Sequence, residues 1–317
     1  MDKIETNSLL NYLTNMDFSY RDNLNVSDDI KFGSEIEFMV KNGNEHDRDI
    51  RKLINLNSSL RKMYKVGEYK KVDSSLKDKR IFEIKTPILS NTKEDFTSLY
   101  NVCEGLTKLG IEESNQKGVH VHADLSLLEE NKDYLDTFLK LFCIYEHIIF
   151  RFSYGNDLES NININSYSRE VSSKLYKYLN SSNQEDTFSK AISDLRQLFK
   201  CKTYAINFHQ KDLYCKNETI EIRTFNSTFN PVIIQNYINF VLSMLNKIKS
   251  NKVDLDILNY RFNEYNREFY ITEPYSKMNL DDAIEFSDLI FTSDLDKYYF
   301  LRQYAIKDKP KQKKLVI

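Results

Sequence analysis

The chain has no tryptophan, only 7 glycines, 4 prolines and 4 cysteines in 317 residues. Cys103, Cys143, Cys201 and Cys215 form no close C-x-x-C pair, which excludes a zinc knuckle and the disulfide framework of a small secreted domain. No run of about 18 apolar residues exists, so no apolar helix is expected to span a membrane. The first residues lack the basic-then-apolar pattern of a signal peptide, and the cytoplasm is the expected compartment. Charge of one sign is also lacking. Lys+Arg 45 against Asp+Glu 47 leave a net charge of -2, too little of a basic field to hold nucleic acid. The one basic run, Lys307 to Lys314, reads as a solvated tail. Neither a nucleic-acid nor a membrane partner is expected. With so few glycines, Gly33 and Gly118 stand out because each sits beside a motif.

What is present is a globular composition, 41% hydrophobic and 29% charged, with length enough for a sizeable core. Four stretches alternate apolar and polar residues with the period of a strand. In Phe32-Gly33-Ser34-Glu35-Ile36-Glu37-Phe38, Glu35 and Glu37 point one way, Ile36 and Phe38 the other. In Arg80 to Pro87, Phe82 and Ile84 oppose Glu83 and Lys85, and Pro87 ends the strand. In Gly118 to Asp124, Val119, Val121 and Ala123 oppose His120, His122 and Asp124. A hairpin follows, in which Tyr204, Ile206 and Phe208 alternate with Ala205, Asn207 and His209. Its return strand runs from Thr219 to Phe225, with Glu221 and Arg223 opposite Ile220 and Ile222.

Between the strands lie helical patterns. A weak one covers Ile4–Leu13, and another is suggested by Ile50, Leu53, Ile54, Leu56 and Leu60. Val66–Val72 reads as a short strand. Asn91 or Thr92 caps a helix with the stripe Phe96, Leu99, Cys103, Leu106 and Leu109, stopped by Gly110. Longer helices are expected at about 131–153, 170–179 and 186–200, and one is capped by Asn230 with Pro231 at its first position. Residues 251–305 read as further helices whose Tyr and Phe belong to the core. Strands with one polar face predict an α+β fold, a mainly antiparallel sheet with helices on one side. The expected organisation is an N-terminal segment at 1–29, a main domain at 30–250, and a helical C-terminal extension with a basic tail at 251–317, packed on the same domain.

Two carboxylates side by side on a strand repel each other, and a divalent cation removes that cost. At Glu35 and Glu37 alone, a solvated acidic face and a metal site both remain open. Collecting the polar faces adds Glu83, His120, His122, Glu221 and Arg223. If the strands share a sheet, these line one surface able to hold divalent ions and steady a phosphoryl group. No P-loop, G-x-G-x-x-G or kinase signature is present. A structural His120–His122 pair is the rival reading for the histidines. His147 reads as a hydrogen-bonded structural residue and His46 as surface, with His209 undetermined; Arg151 fits a substrate contact or a surface or capping role.

The ordered motifs Gly33-x-Glu35-x-Glu37, Asp73-x-Ser75-Leu76, Glu83-x-x-Thr86-Pro87-x-Leu89, Gly118-Val-His120-Val-His122, Ala205-x-Asn207 and Thr219-Ile-Glu221-Ile-Arg223-x-Phe225-Asn226-x-Thr228 resemble the putative amidoligases over roughly residues 30–245. These are carboxylate–amine ligases that share the glutamine synthetase and glutamate–cysteine ligase catalytic fold. The resemblance implies a curved sheet of that kind and an ATP-dependent ligase acting through an acyl phosphate. It also implies two or three Mg²⁺ or Mn²⁺ ions. By position, Glu35, Glu37, Glu83, His120 and Glu221 look like metal ligands, and Glu83 and His120 like catalytic groups as well. Arg223 looks like the arginine that faces the transferring phosphate, with His122 and Asn207 as nucleotide contacts. Asp73, Lys85 and Arg151 are weaker substrate candidates. Ser74 stands where the family usually has Gly, and Lys85-Thr86 where an apolar residue and Ser are commoner. Small-molecule, peptide or protein carboxylates and amines are the implied partners. Two other functions fit the residues: a zinc hydrolase using His120 and His122 with Glu37 or Glu221 as base, and a binding protein of the same fold without turnover. The Lys-, Asn- and Ile-rich composition points to an AT-rich bacterial or phage genome.

Overall fold

The computed structural model describes residues 3–15, 18–41, 49–50, 65–69, 79–111, 113, 118–155, 168–181, 186–201, 203–209, 218–265 and 278–305. The expected helix within 41–64 lies outside them except for its residues 49–50, as do His46, Asp73, Cys215 and the basic tail.

The alternating stretches become β1 (Lys31–Lys41), β3 (Lys79–Lys85), β5 (Gly118–Asp124), β6 (Ile206–His209) and β7 (Thr219–Asn226). β2 (Lys65–Tyr69) falls on the expected Val66–Val72, of which residues 70–72 lie outside the described ones, and β4 is the pair Leu89–Ser90. The sheet is open and antiparallel, in the order β2-β3-β1-β5-β7-β6, with β4 paired to the start of β1. The α+β expectation therefore holds. Apolar positions of the strands go inward: Phe32, Ile36, Phe38, Phe82, Ile84, Val119, Val121, Ala123, Ile220 and Ile222 are buried.

Helices cover that face. They are α1 (Lys3–Asn15), α2 (Lys93–Lys108), α3 (Lys132–Tyr154), α4 (Ser172–Ser181), α5 (Phe188–Leu198), α6 (Pro231–Lys249), α7 (Leu255–Asn263), α8 (Leu280–Ile290) and α9 (Asp294–Ala305). α3 packs on β7, and α6 packs on β5. The caps explain where helices begin: the Thr92 side chain accepts from Asp95 N, and Asn230 Oδ1 accepts from Val232 N and Ile233 N ahead of Pro231. Asn91 caps nothing. Its side chain instead holds the N-terminal segment, accepting from Leu24 N and donating to Leu24 O and Val26 O.

The C-terminal helices complete the core. The Phe300 ring lies 4.7 Å from Phe152, 5.9 Å from Phe286 and 6.1 Å from Phe240, so aromatic residues from α3, α6, α8 and α9 meet in one cluster. One apolar core runs from Leu13 to Tyr304. Buried Asp296 of α9 binds Arg21, Asn25 and Asn239, which ties the N-terminal segment to α6.

The return strand departs from the regular alternation expected for it. Val119 pairs with Phe225 and Val121 with Ile222, so β7 has one residue more than β5 over this interval. This bulge sets Arg223 and Thr224 opposite His120 and returns Phe225 to the core, where its ring stacks on Tyr237 at 4.5 Å. It also explains Gly118. A Cβ there would lie 2.8 Å from Phe225 O, too close for any other residue without a backbone shift. Gly33 has ordinary room, its nearest neighbour being Thr86 Oγ1 at 3.7 Å.

Candidate active site

Register brings the polar faces together. β1 pairs Glu37 with Glu83 and Glu35 with Lys85 on one side, and Glu35 with His120 and Gly33 with His122 on the other. β7 places Glu221 opposite His122, and β6 places Asn207 opposite Glu221. The Thr86 backbone fixes the end of β3 by donating to Ser34 O at 2.8 Å, while Thr86 Oγ1 accepts from Ser34 N at 2.8 Å.

Glu35 and Glu221 are the two anchors. Glu35 Oε1 lies 2.6 Å from Lys85 Nζ, and Glu35 Oε2 lies 3.1 Å from His120 Nδ1. Glu221 Oε1 accepts from Arg223 Nη1 at 2.7 Å and lies 3.3 Å from His120 Nδ1. Its other oxygen accepts from Asn207 Nδ2 at 3.1 Å and lies 2.6 Å from His209 Nε2. Glu83 is nearly fully buried, with Oε2 3.1 Å from Lys85 Nζ.

These contacts set the charge states. Burial alone would raise the Glu35 carboxyl, but the His120 and His122 imidazoles outweigh it and hold Glu35 well below the ordinary carboxylate range. Glu221 is also buried and also held low, by His120 and His209 and by the charge of Arg223. Glu83 goes the other way: burial, then the negative charge of Glu35, push it up to about 7 against the pull of Lys85. Burial opposes the Lys85 ammonium, yet Glu35 and Glu83 raise it above its ordinary value. His120 feels burial and Arg223 pulling it down, and its hydrogen bonds to Glu221 and Glu35 push it up to about 9.

The donor set fits divalent metal. Glu35, His120 and Glu221 each offer a ligand atom within 4.8 Å of the others, and so do Glu37, Glu83 and His120. One buried ligand atom of these triads, Glu83 Oε1, makes no hydrogen bond among the described residues, and an ion would give it a partner. Each triad has two carboxylates and one imidazole, mostly hard oxygen donors that suit Mg²⁺ or Mn²⁺.

Of the candidates read from the sequence, Glu35, Glu37, Glu83, Lys85, His120, His122, Asn207, Glu221 and Arg223 share this face. Arg151 is not among them; it is buried in α3 with its guanidinium 5.4 Å from the centre of the Tyr304 ring, in the helical layer. His147 faces Asp282 of α8 at 3.3 Å, a structural role as expected. Two residues join the site beyond those expected, His209 on Glu221 and Thr219, whose Oγ1 lies 3.5 Å from His122 Nδ1. His209 carried a signal, since it has the same strand parity as Asn207. Two cavities of about 750 and 630 Å³, one bordered by α4 and α5 and the other by α6 and α8, share no lining residue with the cluster. No helix among the described residues is long and apolar enough to cross a membrane.

A family model described as a putative amidoligase enzyme matches residues 28–245 of the chain. No curated protein matches it.

Proposed function

Because this chain belongs to the putative amidoligase family, we propose that it is an ATP-dependent carboxylate–amine ligase with a glutamine-synthetase-like catalytic fold. The observation that carries this reading is the convergence of Glu35, Glu37, Glu83, His120, Glu221 and Arg223 on one sheet face, in two donor triads that share His120.

In the proposed reaction, a substrate carboxylate oxygen attacks the γ-phosphorus of ATP. A P–O bond forms, the β–γ bridging P–O bond breaks, and ADP leaves. The amine nitrogen then attacks the acyl carbon. A C–N bond forms, the C–O bond to phosphate breaks, and the nitrogen sheds its surplus proton. Glu35, Glu221 and His120 would hold one ion and Glu37 and Glu83 a second, because the neutral His120 imidazole has one lone pair to give. Bound Mg²⁺ or Mn²⁺ supplies charge neutralisation at the phosphate oxygens. Arg223 is oriented by its bond to Glu221 and has a buried Nε without a hydrogen bond among the described residues. It is set to donate to phosphoryl oxygens as charge builds there. Asn207 and His209 hold Glu221 in place for that work. The substrates are a carboxylate and an amine borne by a small molecule, peptide or protein.

A zinc hydrolase built on His120 and His122 would need both imidazoles in one donor set, and each triad contains only one. The deciding experiment supplies purified protein with ATP, Mg²⁺ and panels of acids and amines. ADP release that requires both an acid and an amine supports the ligase. ATP-independent hydrolysis with Zn²⁺ overturns it, as does nucleotide binding with no turnover across the panels.

A further inference from the structure

We propose that Lys85 is a resident cation of the site, its ammonium filling the place between Glu35 and Glu83 that a divalent ion would otherwise occupy. This rests on the metal reading above and deepens it: the site takes two ions, and Lys85 stands in for a third.

Geometry carries the inference. Lys85 Nζ reaches Glu35 Oε1 at 2.6 Å and Glu83 Oε2 at 3.1 Å, so one ammonium bridges carboxylates from neighbouring strands. Glu83 is buried and Glu35 nearly so, whereas the lysine side chain is 44% exposed; its stem runs at the rim and its head turns inward. Its position is fixed by the backbone, since the Thr86–Ser34 bonds lock Lys85 opposite Glu35. The bridged oxygens are separate from those left over. Glu35 Oε2 faces His120, and Glu83 Oε1 makes no hydrogen bond among the described residues. Both triads therefore keep ligand atoms while Lys85 is in place. A metal–oxygen bond of about 2.1 Å to Glu35 Oε1 would put the ion against the ammonium already there. An ammonium gives a single charge and N–H donors but no exchangeable coordination position, so this corner neutralises charge without binding a ligand oxygen to metal.

The test is Mn²⁺ binding to the full chain without nucleotide, followed by the electron paramagnetic resonance signal of free Mn²⁺. Lys85→Met is expected to bind one more Mn²⁺ per chain than the wild type, and Lys85→Arg, which keeps the cation, the wild-type number. Equal numbers for Lys85→Met and the wild type overturn the proposal and leave the ligase reading standing. No Mn²⁺ on either protein overturns both the proposal and the metal reading, and ADP formation separately tests the ligase. If Lys85→Met unfolds without metal, its thermal midpoint in saturating Mn²⁺ provides the second readout. A larger rise than in the wild type supports the proposal, and an equal rise overturns it.

Discussion

His120 makes the metal-free protein lose stability as pH rises, in a window set by its contacts. Its imidazole is buried between Glu35 and Glu221, and their hydrogen bonds push it from an ordinary 6.5 up to about 9. A group whose folded pKa is raised contributes stability that is complete below its unfolded pKa and disappears as pH passes the folded one. At 1.36 kcal/mol per tenfold of proton affinity, the full contribution is about 3 kcal/mol. Roughly 2 kcal/mol of it is lost between about pH 6.5 and about pH 8.5. The lower bound matters because Glu83 and buried Glu146, each raised to about 7, also lose stability as pH rises, mostly below that window. The upper bound matters because the buried thiols of Cys103 and Cys143, both raised, add their own loss once unfolded cysteine ionises. The assay is urea unfolding in chelator at a series of pH values, wild type beside His120→Gln. The wild type should lose about 2 kcal/mol across the window and the variant much less. A flat wild-type profile, or an equal slope in His120→Gln, would refute the charge state assigned to the cluster.

Two further predictions separate backbone from chemistry. Gly118→Ala forces a Cβ to 2.8 Å from Phe225 O and should cost about 1–3 kcal/mol in unfolding free energy, while Gly33→Ala, with ordinary contacts, should leave the urea midpoint unchanged or slightly higher. Arg223→Ala and Glu35→Gln should reduce ADP formation by about 100-fold or more while circular dichroism stays native; wild-type turnover in either would remove that residue from the proposed site.

Faces were readable from the sequence and neighbours were not. Alternation with period two is enough to put Ile36 and Phe38 inside and Glu35 and Glu37 outside, because a strand has only two faces. The same rule separated His120 and His122 from Val119 and Val121. Register is set by pairs far apart in the chain, and no local pattern states that Glu35 lies between Lys85 and His120. The bulge at Arg223 escaped for the same reason: it exists only relative to β5, and its one sequence trace is the three-residue spacing of Ile222 and Phe225. Arg151 shows the converse failure. An arginine near the end of an apolar helix gives no sign of whether it turns toward solvent, substrate or an aromatic ring from a distant helix, and here it meets Tyr304.

The charge of the site makes the proposed nucleotide binding depend on metal. Among the described residues, Glu35, Glu37, Glu83 and Glu221 face two fixed cations, Lys85 and Arg223. Even with His120 protonated, and before Glu83 takes up a proton, the carboxylates outnumber the cations. A triphosphate approaching this face meets repulsion that the partly buried setting strengthens. The ion that takes His120 as a ligand needs its free lone pair, so it displaces the His120 proton and replaces one charge with two. Two ions more than reverse the balance without a third between Glu35 and Glu83, where Lys85 already supplies a charge. ATP affinity measured by calorimetry should therefore be at least about tenfold weaker in chelator than in Mg²⁺ after allowance for the metal carried by ATP itself, a difference of about 1.4 kcal/mol. Glu221→Gln should narrow that gap, because it removes a carboxylate that both repels the phosphates and binds the ion. ATP binding of equal strength in chelator and in Mg²⁺ would show that the phosphates lie elsewhere on the molecule, and the carboxylate face would lose its place in the reaction.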